Sequence, residues 1–180
     1  MWEITKEFHC SYGHSVYTQN LNCDLSLDSH CACRYLHGHN AQILISLKGE
    51  SLDSRGMILD FKELNFMKKF IDDVIDHKFI MGLDDPLLYH EFPGAVFENL
   101  GNYSIINLKE TSSIIDLVGE PRLMEKYEGA IFVPFVPTSE NLAKWLFEIT
   151  QEKLAGIAII SKVEFYETPK SKSIYYGTIK

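Results

Sequence analysis

Apolar and polar residues alternate from the first positions of the chain. Trp2, Ile4 and Thr5 lead into Phe8, Cys10 and Tyr12, a period of two that predicts a strand over residues 1–12, closed by Gly13-His14. Residues 15–30 carry Asn, Asp and Ser at short intervals and read as a loop, with a short helical turn near Leu25–Asp28. Alternation returns over residues 39–49, where Ile43, Ile45 and Leu47 share one face and Gly49 ends the strand. After a turn at Asp53–Gly56 the period changes to 3.6. Leu64, Met67, Phe70 (or Ile71) and Val74 form a helical stripe from about Phe61 to Asp76, with Asp60 as cap and Glu63 as its capping-box partner.

Gly and Pro punctuate residues 82–129, and the pattern there weakens to a short strand near Tyr103–Leu108 and a helical turn near Leu123–Tyr127. A structureless link of that length is uncommon, so the segment reads as an elaborated loop or subdomain. Ala130–Val136 is apolar, but Pro134 rules out a central strand there. Thr138 then caps a second helix whose stripe is Leu142, Leu146, Ile149 and Leu154, flanked by Trp145 and ended by Gly156. Strands over Ala158–Glu167 and Ser173–Ile179 follow, joined by a loop at residues 169–172. Glu164 and Glu167 fall on opposite faces, so one can face a pocket. The order β-β-α-(insert)-α-β-β predicts an α+β domain over residues 1–180, with both helices on one face of an antiparallel four-stranded sheet and residues 82–129 as an insert.

The 180 residues suit one domain. A net charge of −8 leaves no basic footprint for nucleic acid, and an anionic substrate would need a local basic pocket. No apolar run is long enough to span a membrane, and the N-terminus has no apolar signal core. Four cysteines, all within the first 33 residues, fit a reducing compartment with metal-binding or catalytic thiols better than a disulfide framework, so the cytoplasm is expected.

The densest chemistry is the run Cys31-Ala-Cys33-Arg34-Tyr35-Leu36-His37-Gly38-His39-Asn40. Histidines at i and i+2 of a strand point to one face, where both imidazoles can reach one metal. The plainer alternative is a polar turn feeding a strand. His14 joins this group only if a hairpin brings the end of the first strand beside it. Asp76-His77, at the end of the first helix, is either a carboxylate orienting an imidazole or a histidine stabilised by the helix C-terminus.

Six blocks along the chain resemble the 6-pyruvoyltetrahydropterin synthase and 6-carboxytetrahydropterin synthase family. They are Phe8…Gly13-His14; Cys33-Arg34-Tyr35-Leu36-His37-Gly38-His39-Asn40; Gly56-Met57-Ile58-Leu59-Asp60-Phe61-Lys62-Glu63-Leu64; Asp76-His77; Pro137-Thr138-Ser139-Glu140-Asn141; and Glu167-Thr168…Tyr175-Tyr176-Gly177. The resemblance covers roughly residues 1–81 and 130–180; residues 82–129 exceed the equivalent link of compact members.

The resemblance implies the tunnelling fold (T-fold) and a zinc ion on His14, His37 and His39, with the open position a catalytic zinc needs. It implies a catalytic cysteine before the HGH run: Cys33 at the spacing of the 6-carboxy branch, Cys31 at that of the 6-pyruvoyl branch. Cys33 is preferred because the whole run resembles the former. Asp76 and His77 match a proton-relaying pair. Glu167 matches the carboxylate that grips a pterin's amino-pyrimidine edge, and Thr138, Ser139 and Glu140 match the segment closing the pterin pocket. The implied substrate is 7,8-dihydroneopterin triphosphate. The implied reaction releases triphosphate and acetaldehyde and forms 6-carboxy-5,6,7,8-tetrahydropterin, toward 7-deazaguanine bases and queuosine. The resemblance also implies homohexamers of two trimers with active sites at subunit boundaries. The rival readings are a 6-pyruvoyltetrahydropterin synthase, a non-catalytic pterin-binding zinc protein, and a nucleic-acid zinc module, the last weakened by the acidic charge.

Overall fold

A computed structural model describes residues 1–20, 25, 31–111 and 121–177. The turn expected near Leu25–Asp28, apart from Leu25, and the end of the last expected strand at residues 178–179 lie outside the described residues. The class is α+β, but the sheet is not the four-stranded antiparallel one expected. Among the described residues it has eight strands: β1 (Trp2–His14), β2 (His37–Gly49), β3 (Lys78–Gly82), β4 (Phe97–Asn99), β5 (Ser104–Ile106), β6 (Ala130–Val133), β7 (Ile159–Thr168) and β8 (Ser171–Tyr175). Their order is β4-β5-β6-β3-β1-β2-β7-β8, and β3 pairs parallel with both β1 and β6.

The two parallel neighbours explain the miss. β3 is five residues long and β6 four, and β6 is buried at every position. A strand covered on both sides shows no alternation to read. Pro134 was expected to exclude a central strand. It instead stands one residue past β6, so the missing N–H never enters the ladder, and β6 lies inside the sheet between β5 and β3.

The chain divides into two compact units, one formed by Met1–Ser11, His39–Asp76 and Thr138–Lys180, the other by Tyr12–Gly38 and His77–Pro137. In the first, β2 pairs antiparallel with β7, and β7 with β8. The expected first helix is a composite. It opens as a 3-10 turn (Phe61–Leu64), continues as α1 (Asn65–Phe70) and closes as a π turn (Ile71–Ile75). Asp60 caps it, but through the Lys62 N–H at 2.8 Å rather than a reciprocal box with Glu63. The π closure is set by the Asp76 N–H on the Ile71 carbonyl, and it buries Ile71, Val74 and Ile75 together. Asp72 and Asp73 pair with Lys68 and Lys69 on the solvent side, as a charged face should.

The second helix, Ser139–Lys153, begins where expected, with the Thr138 hydroxyl accepting the Asn141 N–H. Leu142, Leu146 and Ile149 are buried on it, and Leu154 just beyond; Trp145 is buried too, edge-on to Phe70 with ring centroids 5.3 Å apart.

In the second unit, residues 82–129 supply their own elements: α2 (Leu88–Glu91), β4, β5 and α3 (Pro121–Glu128). Leu88, Phe92, Ile106, Tyr127 and Phe132 form an apolar cluster there, with Phe92 edge-on to both Tyr127 and Phe132. The Ser139–Lys153 helix is α4 in chain order.

Candidate metal centre and its surroundings

The period-two pattern that builds β1 and β2 also aims their histidines. His14 shares a face with Phe8, Cys10 and Tyr12, and is 1% exposed. His37 and His39 share a face with Ala41, Ile43, Ile45 and Leu47, whose side chains are buried. The nitrogens that His14, His37 and His39 offer lie within 4.8 Å of one another. Among the described residues no thiol or carboxylate joins this group. Gly38 makes the spacing feasible, because a Cβ there would stand 3.0 Å from the Tyr12 carbonyl oxygen.

Hydrogen bonds fix the tautomers of two of these rings. His14 donates its Nδ1–H to the Pro137 carbonyl at 2.6 Å, and His37 donates its Nδ1–H to the Tyr35 carbonyl at 2.7 Å. A carbonyl can only accept, so each neutral ring keeps its lone pair on Nε2. Those two Nε2 atoms are 3.1 Å apart. Metal-binding histidines characteristically give the other ring N–H to such a carbonyl. Three imidazoles whose nitrogens lie this close together are a donor set that could hold a divalent transition metal. Pro137 and Tyr35 thus orient these two rings, and no sequence signal marks them, because their backbone oxygens do it.

The thiol turn lies against the same region. Cys33 sits exposed in a 3-10 turn, Ala32–Arg34, and its carbonyl accepts the Val16 N–H at 2.8 Å, two residues after His14. Cys31 precedes the turn and is less exposed. Cys10 is different: burial, with Asp76 and Asp72 nearby, pushes its thiol up to about 12.

The remaining expected site residues stand outside the histidine group. The Asp76 carboxylate accepts the Ser11 N–H at 2.7 Å. His77 is exposed and holds φ at +58°, a left-handed backbone uncommon for a residue other than glycine. Thr138 is the α4 cap, the Ser139 hydroxyl meets that of Ser173 at 2.6 Å, and Glu140 lies exposed in the first turn. Glu167 is half-buried where the β7–β8 register slips between Tyr166 and Thr168. Glu164 takes the other face, buried and paired with Lys162 and Lys172, which makes it a structural ion pair.

The family model described as 6-pyruvoyl tetrahydropterin synthase matches residues 3–178. A 6-carboxy-5,6,7,8-tetrahydropterin synthase of Aquifex aeolicus is 27% identical, covering 97% of each chain. One of Rickettsia conorii is 37% identical, covering 76% of this chain and 80% of its own. The crystal structure of an uncharacterized protein from Wolinella succinogenes superposes with a TM-score of 0.91 at 38% identity, covering 98% of both chains.

Proposed function

The chain belongs to the 6-pyruvoyl tetrahydropterin synthase family, and from that premise we propose that it is a 6-carboxy-5,6,7,8-tetrahydropterin synthase. It converts 7,8-dihydroneopterin triphosphate and water to 6-carboxy-5,6,7,8-tetrahydropterin, acetaldehyde and triphosphate, a step toward 7-deazaguanine bases and queuosine. The relatives of that name support the branch. The observation that carries the site is the converging histidine group, with two ring tautomers fixed by carbonyls.

We assign zinc to His14, His37 and His39. When bound there, it supplies Lewis-acid polarisation of the substrate's side-chain oxygens. Cys33, as thiolate, takes a proton from the side-chain carbon and returns it. His77 is the second acid/base and Asp76 orients it, its carboxylate already anchored by the Ser11 N–H. Glu167 accepts two N–H groups from the amino-pyrimidine edge of the pterin, and Thr138, Ser139 and Glu140 close the pocket around that ring. We read residues 1–180 as one T-fold domain with an elaborated insert, working in the cytoplasm as a homohexamer of two trimers with active sites at subunit boundaries.

A 6-pyruvoyltetrahydropterin synthase is the second reading, favoured by one observation: Cys31 stands six residues before His37, at that branch's spacing. Incubation with 7,8-dihydroneopterin triphosphate and mass spectrometry of the pterin product separates the two. The 6-carboxy product supports the assignment. A product keeping the three-carbon side chain moves it to the other branch, and unchanged substrate refutes both.

A further inference from the structure

We infer that Arg34 is the triphosphate anchor, an assignment that rests on the substrate proposed above. In 7,8-dihydroneopterin triphosphate the phosphates hang on the terminal carbon of the side chain whose oxygens would meet the metal. Their first phosphorus therefore lies only a few bonds from the histidine group. With a net charge of −8 on the chain, holding that group calls for a local cation.

Arg34 is built for that position. It closes the same 3-10 turn that carries Cys33, three residues before His37. Two tethers hold the turn near the metal ligands: the Val16 N–H on the Cys33 carbonyl, and the His37 ring on the Tyr35 carbonyl. The guanidinium itself is asymmetrically used. Its Nη1 donates to the Gln19 carbonyl at 3.0 Å and to Asn20 Oδ1 at 3.4 Å. Both acceptors are neutral, so neither of them cancels the positive charge. The Nε–Nη2 edge has no partner among the described residues, and the side chain is exposed. That edge presents the parallel N–H pair that binds phosphate oxygens bidentately. One edge clamps the arginine to the loop, and among the described residues the other is left for a ligand. Holding the fork in place before binding lowers the entropy cost of capturing an anion.

The other described cations of this unit are less suited. Lys126 is paired with Glu91, and Lys78 gives its ammonium to the Glu128 carbonyl at 2.8 Å. Lys109 and Arg122 belong to the 82–129 insert, away in sequence from the metal ligands.

The test uses the metal-loaded full-length protein, with Arg34→Gln, Arg34→Lys and, as a charge control, Lys48→Gln on exposed Lys48 of β2. Three readouts are taken on each: calorimetric affinity for inorganic tripolyphosphate, affinity for phosphate-free 7,8-dihydroneopterin, and KM for the triphosphate substrate. Arg34→Gln should weaken tripolyphosphate binding and raise KM by about 10- to 100-fold, leaving phosphate-free pterin affinity and metal content unchanged. Arg34→Lys should recover part of the loss and Lys48→Gln should show none. Equal weakening of both ligands in Arg34→Gln would mean that the residue acts only by holding its loop, and would overturn the assignment. Unchanged tripolyphosphate affinity would overturn it as well. Tripolyphosphate binding is read without turnover, so an Arg34-dependent affinity in a protein that leaves the pterin substrate untouched would refute the proposed reaction and not the anion site.

Discussion

His14 and His37 face each other through Nε2 atoms 3.1 Å apart, and each ring has already given its one N–H to a carbonyl. Two nitrogen lone pairs at that distance repel, and a cation held between them would relieve the repulsion. Two zinc–nitrogen bonds of about 2.0–2.1 Å at a tetrahedral angle put the nitrogens roughly 3.3–3.4 Å apart, close to the observed spacing. Removing one imidazole should therefore empty the site. Metal analysis should find roughly one zinc per chain in the unaltered protein and its loss in His37→Ala. Full retention of zinc would take His37 out of the ligand set.

Cys33 and Cys31 divide the chemistry between two readings. Cys33→Ala should keep its zinc and its circular dichroism spectrum but lose turnover by about 10²-fold or more, the usual scale for a positioned acid/base. Cys31→Ala should stay within a few-fold of the unaltered enzyme. The reverse result would move the proton transfer to Cys31.

Cys10 should be chemically silent in the folded protein. With its thiol pushed up to about 12, its thiolate fraction at pH 8 falls roughly 10³-fold below that of an ordinary cysteine. Limited alkylation followed by peptide mass mapping should label Cys31 and Cys33 first and Cys10 only after unfolding. Early labelling of Cys10 in the native protein would contradict its placement.

Glu167→Gln should weaken binding of the pterin product by about 2–5 kcal/mol with zinc content unchanged, because an amide cannot accept two N–H bonds from one edge. A fluorescence titration reads it. Unchanged affinity would leave Glu167 with no part in pterin recognition.

Glu164 gives a pH-dependent stability effect. Its carboxyl is held below the ordinary range chiefly by the hydrogen bond from Lys172, with Lys162 adding to it. A depressed folded-state value means the stabilisation is present above the unfolded carboxyl value, near 4.3, and disappears as pH falls through the lower folded value. Both lysines reach solvent, so the pair is worth only about 1 kcal/mol at neutral pH. Denaturant melts should find Glu164→Gln less stable by that amount at pH 7 and equal to the unaltered protein in strong acid. An equal deficit at both pH values would trace the loss to packing.

What the sequence disclosed depended on periodicity and on side-chain chemistry. β1, β2, α4 and β7 were legible because each buries one face and shows water the other. The start of β8 at Ser171, inside the loop expected at 169–172, was not, because none of its residues is buried to mark it. β3 and β6 were not, because Ile80, Ile131 and Phe132 sit in short runs without a polar face to mark the period. The histidine group could be anticipated from the i, i+2 spacing of His37 and His39. The carbonyls of Pro137 and Tyr35 could not, since any residue supplies the same oxygen. The left-handed backbone at His77 and the register slip beside Glu167 arise where elements join, and local residue preference gives no sign of either.

The most direct measurement is acetaldehyde, trapped and counted against triphosphate, during single-substrate turnover of the zinc-loaded protein with 7,8-dihydroneopterin triphosphate. One acetaldehyde is expected for each triphosphate released, both lost together in Cys33→Ala. Triphosphate released without acetaldehyde, or neither product formed by the zinc-loaded protein, would contradict it.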